Sequence, residues 1–136
     1  MRLKYLFIVS LLTCVQARAL EFPLEVIEYI DNTRVVAFVS PRDIKAAGSW
    51  EPLHMPPPLT MEQALHQVWT ALTGRGVPPE AIRLASIELK EFRQQPGRWH
   101  YLIRLKQTSN SRHPRFFVVL MNGKTVAAAR EPQSYK

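Results

Sequence analysis

A single cysteine, Cys14, is all the thiol chemistry this 136-residue chain carries, and it lies in a segment expected to be removed. A thiolate nucleophile, a disulfide framework and thiolate metal ligation are thereby excluded from the rest. Other catalytic signatures are missing too. The four histidines, His54, His66, His100 and His113, fall in different expected elements, with no i, i+4 pair and no H-E-x-x-H. Each reads as packed or solvated. There is no G-x-S-x-G, and Ser49 beside Gly48 reads as a turn residue. Glu88 and Glu91 differ in strand parity and have Lys90 and Arg93 as neighbours, a poor arrangement for paired acids. Glycine is scarce, with five in the chain, and Gly74-Arg75-Gly76 ends a helix and runs into prolines instead of cradling a phosphate. No apolar run approaches the ~20 residues that a membrane-spanning helix needs. The expectation is a chain with no catalytic residue, no cofactor and no metal.

What is present begins at the N-terminus. Met1-Arg2-Leu3-Lys4 is basic, Tyr5 to Val15 is mostly apolar, and Ala17-Arg18-Ala19 places small residues at −1 and −3 of a cut. That is the layout of a secretory signal peptide. Residues 1–19 are therefore expected to be cleaved and residues 20–136 exported, periplasmic or secreted, as one domain. Lipid attachment at Cys14 fits less well, because Thr13 stands where a very small residue is required. Charge is uneven along the remainder. Residues 20–80 hold four basic and eight acidic side chains, and residues 81–136 hold eleven basic and three acidic. Such asymmetry suits a polyanionic partner, or else two halves that face each other or simply solvate separate surfaces.

Residues 20–59 read as a hairpin, a short helix and a connector. Leu24, Val26 and Ile30 alternate with Glu25, Ile27 and Tyr29, Asp31-Asn32 tolerates a left-handed turn, and Val35 to Val39 is β-branched. Ser40-Pro41 caps a helix that Gly48 closes. Four prolines between Pro52 and Pro58 impose an extended connector. Residues 60–131 read as one long helix and antiparallel strands. Thr60 and Gln63 form a capping box, and Met61, Leu65, Val68, Trp69 and Leu72 make an apolar face. "IRLASIELKEF" changes phase between Leu84 and Ile87, a bulge signal. Trp99, Tyr101, Ile103 and Leu105 alternate with His100, Leu102, Arg104 and Lys106. Residues 115–121 are apolar on both faces and lead to the hairpin turn Asn122-Gly123. One face of that strand should meet the helix. The other is either covered by the N-terminal hairpin or left open, with Arg104 and Lys106 as a basic rim. Arg104, Lys106, Phe117, Val119 and Met121 are accordingly the candidate partner surface.

"MEQALHQVWTALTGRGV", "IEL", "WHYLIRL" and "FFVVLMNGKTV" occur in an order that resembles the PepSY family of exported domains. Asn122-Gly123-Lys124-Thr125-Val126 stands where that family has an acidic residue and a T-G-x-V turn. The resemblance covers roughly residues 60–130. It implies an α+β fold, one main helix on an antiparallel sheet as in PepSY and cystatin-like domains, and a binding or protease-regulating role. "RWHYLIRLK" and "RHPRFF" mix basic and aromatic residues, but without the glycine-aromatic spacing of an RNA-binding strand, so no nucleic acid is expected. The expected function is a non-catalytic exported domain that binds a protein or peptide, with an acidic partner favoured, and restrains an envelope enzyme. The alternatives are a small hydrolase or transferase, and a polyanion-binding envelope protein.

Overall fold

The computed structural model describes residues 20–108 and 110–130. The expected signal segment, with Cys14 and Ala17-Arg18-Ala19, lies outside the described residues. Strands β1 (Leu24–Ile30) and β2 (Thr33–Val39) form the first hairpin. Asp31 and Asn32 both take positive φ, 50° and 59°, the left-handed pair that lets a two-residue turn follow the strand twist. Leu24, Val26, Glu28 and Ile30 turn inward, and Glu25, Ile27 and Tyr29 turn out.

Helix α1 (Pro41–Ala46) starts at Pro41 as expected, but the Ser40 side chain makes no capping bond. Only its extended backbone serves as the cap. The proline-rich connector is not a continuous extended segment. It turns at Pro52–His54, with Leu53 in the left-handed region at φ 70°. Anchors at both ends account for this. The Trp50 indole N–H donates to the Met55 carbonyl at 2.9 Å, and the Tyr101 hydroxyl donates to the Leu59 carbonyl at 2.7 Å. Trp50 also meets Trp99 edge-on, with ring centroids 5.8 Å apart.

Helix α2 (Met61–Gly74) carries the full capping box: Gln63 N–H donates to Thr60 Oγ1 and Thr60 N–H donates to the Gln63 side chain. A 3-10 turn, Pro79–Ala81, leads to β3 (Leu84–Glu91), β4 (Trp99–Leu105), β5 (Phe116–Leu120), β6 (Thr125–Ala127) and β7 (Ala129–Arg130). The fold is α+β, with two antiparallel sheets and one main helix: β1-β2-β7 is one sheet and β3-β4-β5-β6 the other.

The larger sheet is the middle layer. One face packs Tyr101, Ile103, Leu105, Phe117, Val119 and Met121 against Ala64, Val68 and Leu72 of α2. The other packs Leu102, Phe116, Val118 and Leu120 against Val35, Ala37, Val39 and Ile44. The N-terminal hairpin and α1 therefore cover the second face of β5, which is buried along its whole length. Covering both faces satisfies a strand that is apolar on both.

The helix face differs from expectation. Ala64, Val68 and Leu72 are its buried stripe, whereas Met61 and Trp69 are exposed, Trp69 to 42 %. Ala64, with no side chain beyond Cβ, is fully buried, while the bulkier Trp69, expected on the apolar face, lies at its margin. The phase change in β3 is a true bulge, with the register against β4 shifting between Leu84 and Ser86.

Candidate functional site

Charge asymmetry along the chain resolves in part into pairing between its halves. Glu28 meets Arg104 at 2.6 Å and Lys90 at 3.6 Å, Asp31 meets Arg115 at 2.9 Å, and Asp43 meets Lys124 at 2.8 Å. The first of these sits between the sheets. Glu28 shares strand parity with Leu24, Val26 and Ile30, so its carboxylate enters the space between β1 and the larger sheet. Arg104 reaches it from β4 with one guanidinium nitrogen and gives another to Glu88 of β3 at 2.5 Å. The hydrogen bond from Arg104 holds the Glu88 carboxyl below its usual range, and the bond to Glu28 raises Arg104 further. This fork fixes β1 over β3 and β4, and it occupies the groups of Arg104 that a partner would need.

Lys106, the other expected rim cation, is exposed just beyond the end of β4. Its backbone N–H donates to the Arg83 carbonyl at 2.8 Å, so two exposed cationic residues stand together at that end of the strand pair. Phe117, Val119 and Met121 are a correction. They are buried beneath α2 and reach no surface. Helix α2 needs an apolar floor, and this face of β5 supplies it.

An apolar surface does remain open at β3, two strands away. Helix α2 packs mainly over β4, β5 and β6, and of β3 only the central Ile87 is drawn into the same core among the described residues. Leu84 and Leu89 stay 43 % and 40 % exposed on the helix side of β3. Between α2 and β3 runs a groove of about 180 Å³, with Ile103 and Leu105 as floor, Leu65 and Trp69 on one wall, and Ile82 and Leu84 on the other. Among the described residues β3 pairs only with β4, so its outer edge offers an unpaired row of backbone donors and acceptors beside this groove. The bulge and the inward charges of Glu88 and Lys90 are ordinary defences of such an edge. They do not account for Leu84, Leu89 and Trp69 lying open on one side of it. Sequence reasoning did not reach this site, although the bulge pointed to the strand that builds it.

Compared with family models, with curated proteins and with solved structures, the chain matches none in any of the three.

Two further hollows were also outside the sequence reading. A cleft of about 410 Å³ opens beside β1 and is lined by Lys90, Phe92 and His100. His100 is only 3 % exposed and stacks on Phe92 with ring centroids 4.1 Å apart. Neither ring nitrogen has a hydrogen-bond partner among the described residues. Burial, reinforced by the Lys90 charge, lowers its pKa to about 4. The second, of about 390 Å³, is lined by Arg75, Arg112, Arg115 and Arg130. Among the described residues no three His, Cys, Asp or Glu side chains are grouped to hold a metal ion, and no helix is long and apolar enough to cross a membrane.

Proposed function

We propose that this chain is an exported, non-catalytic binding domain that takes an extended segment of another protein against β3. The observation that carries this reading is the coincidence of an open strand edge with an uncovered apolar shelf. An added strand would complete the row of backbone hydrogen bonds, and its alternate side chains would cover Leu84, Leu89 and Trp69. Arg83 and Lys106 at one end favour acidic residues flanking that segment, because such rim charges steer encounter. The expected apolar centre at Phe117, Val119 and Met121 is replaced by one at β3, two strands away, with Lys106 retained at its rim and Arg104 withdrawn into the ion cluster.

The resemblance to PepSY domains, one main helix followed by antiparallel strands, leans toward binding and restraint of an envelope enzyme. Export rests on the signal-like residues 1–19. A small hydrolase or transferase would need converging acid and base groups that a substrate can reach. His100 beside Lys90 is the nearest arrangement, and its ring nitrogens are shut from water, so the binding reading is preferred.

Selection from a random 12-residue peptide library on the purified chain tests the proposal. It predicts enrichment of peptides with apolar residues at every second position and acidic flanks, lost for Leu84→Lys. Absence of any enriched family, or enrichment indifferent to that substitution, would overturn it.

A further inference from the structure

We propose a second, independent site: the cavity at Arg75, Arg112, Arg115 and Arg130 binds a phosphoryl-type oxyanion on a small ligand or headgroup. The four arginines come from three separate stretches of chain. Arg75 caps the C-terminus of α2, Arg112 lies in the β4–β5 loop, Arg115 immediately precedes β5, and Arg130 ends β7. They converge on one hollow of about 390 Å³ whose lining, among the described residues, contains no carboxylate.

Elsewhere in the basic half Arg104, Lys90 and Lys124 are matched to carboxylates at 2.5 to 3.8 Å, while Arg83, Arg93, Arg98 and Lys106 have no such match among the described residues. In the cavity, among the described residues, only Arg115 has such a match, to Asp31 at 2.9 Å. Arg75 lies over the Phe117 ring, 5.9 Å from its centroid, which holds its guanidinium in place without neutralising it. Arg112 and Arg130 have no ion-pair partner among the described residues. Arg75, Arg112 and Arg130 are exposed, so water screens their mutual repulsion at little cost to the fold, and their combined field still favours an anion in the hollow between them.

Arginine is the side chain whose planar fork fits the paired oxygens of a phosphate. Ser111 and Gln107 add neutral hydrogen-bonding groups to the lining. The volume falls in the range of roughly 300–1,000 Å³ usual for small-molecule sites. Convergence on a hollow, instead of spacing along a track, favours a compact oxyanion over an extended polyanion such as nucleic acid.

Isothermal titration of the purified chain with pyrophosphate, and co-sedimentation with phosphatidylglycerol or phosphatidylcholine vesicles, tests the site. The proposal predicts saturable binding in at least one arm that matched concentrations of chloride do not reproduce. Pyrophosphate binding identifies a soluble phosphate ester as the source, and binding confined to phosphatidylglycerol identifies a lipid headgroup. The double variant Arg112→Gln/Arg130→Gln removes two unpaired cations and should weaken binding about tenfold or more, with the melting temperature unchanged. Asp31→Asn should tighten it by releasing Arg115. No saturable binding in either arm, or equal binding by the double variant, overturns the proposal.

Discussion

Replacing His100 by Phe should erase a defined part of the acid sensitivity of this fold. His100 is buried between the sheets with its ring on Phe92, and burial lowers its pKa from 6.5 to about 4. The unfolded chain therefore binds a proton at this site that the folded chain refuses. Stability linked to His100 is fully present above about pH 6.5, is lost as pH falls, and stops falling below about pH 4. The full difference is worth about 3 kcal/mol, at 1.36 kcal/mol for each pH unit of separation. Roughly 2 kcal/mol of it is lost between pH 7 and pH 5, against a typical total stability of ~5–15 kcal/mol. The Glu88 carboxyl is held below 4.5, so its contribution disappears at lower pH and leaves this window to His100. Phe keeps a flat ring for Phe92, and the neighbouring cleft leaves space for its extra volume. Urea unfolding at pH 7, 6 and 5 should show the parent chain losing about 2 kcal/mol more than His100→Phe over that range. Because the comparison is between pH values, a shift in absolute stability does not affect it. Equal losses in both chains would refute the reasoning and mean that folded His100 takes up its proton near the ordinary pH.

Other expectations follow from the packing. Leu72→Ala should cost about 2–5 kcal/mol in urea unfolding, and Trp69→Ala about 1 kcal/mol, because Trp69 stands at the groove rim with much of its surface already in water. A Trp69→Ala cost equal to that of Leu72→Ala would return Trp69 to the core. Tyr101→Phe removes the buried hydroxyl that donates to the Leu59 carbonyl. It should cost about 1–3 kcal/mol and speed limited proteolysis within residues 51–58. An unchanged cleavage pattern would show that the connector is held without it. Thr60→Ala should cost about 1 kcal/mol through loss of the capping box, and a cost indistinguishable from zero by thermal melting would mean that the helix start is held by packing alone.

Much of the fold was legible because local and alternating signals agreed. Asp31-Asn32 and Asn122-Gly123 fixed two hairpin turns, Thr60 and Gln63 fixed the helix start, and the phase change after Leu84 fixed the bulge. The doubly apolar strand at residues 115–121 required cover on both sides, and the N-terminal hairpin supplies it. Glu28 was legible in principle: a carboxylate with the parity of Leu24, Val26 and Ile30 demands a cation across the sheet, and Arg104 is that cation.

The helix face was misjudged because Met61, Leu65, Val68, Trp69 and Leu72 also fall three and four apart, and the small Ala64 was left out of the apolar set. Ala64, Val68 and Leu72 form a strict four-residue stripe, while Trp69 is rotated to its margin. The groove itself could not be read from the sequence. Whether α2 lies over β3 or over β5 is a matter of how the helix crosses the sheet, and no local pattern encodes it. The arginine cavity was illegible for a similar reason, since Arg75 and Arg130 are brought together only by the complete topology.

Hydrogen exchange of the backbone amides of Leu84–Glu91, with and without a peptide selected on the chain, addresses the binding surface directly. Without peptide, the amides of β3 that point away from β4 should exchange quickly, because they have no strand partner among the described residues. Saturating peptide should protect those amides selectively, and Leu84→Lys should abolish the protection. Protection that falls instead on β1 or on the arginine cavity, with the β3 edge still exchanging freely, would contradict the assignment of the partner site to β3.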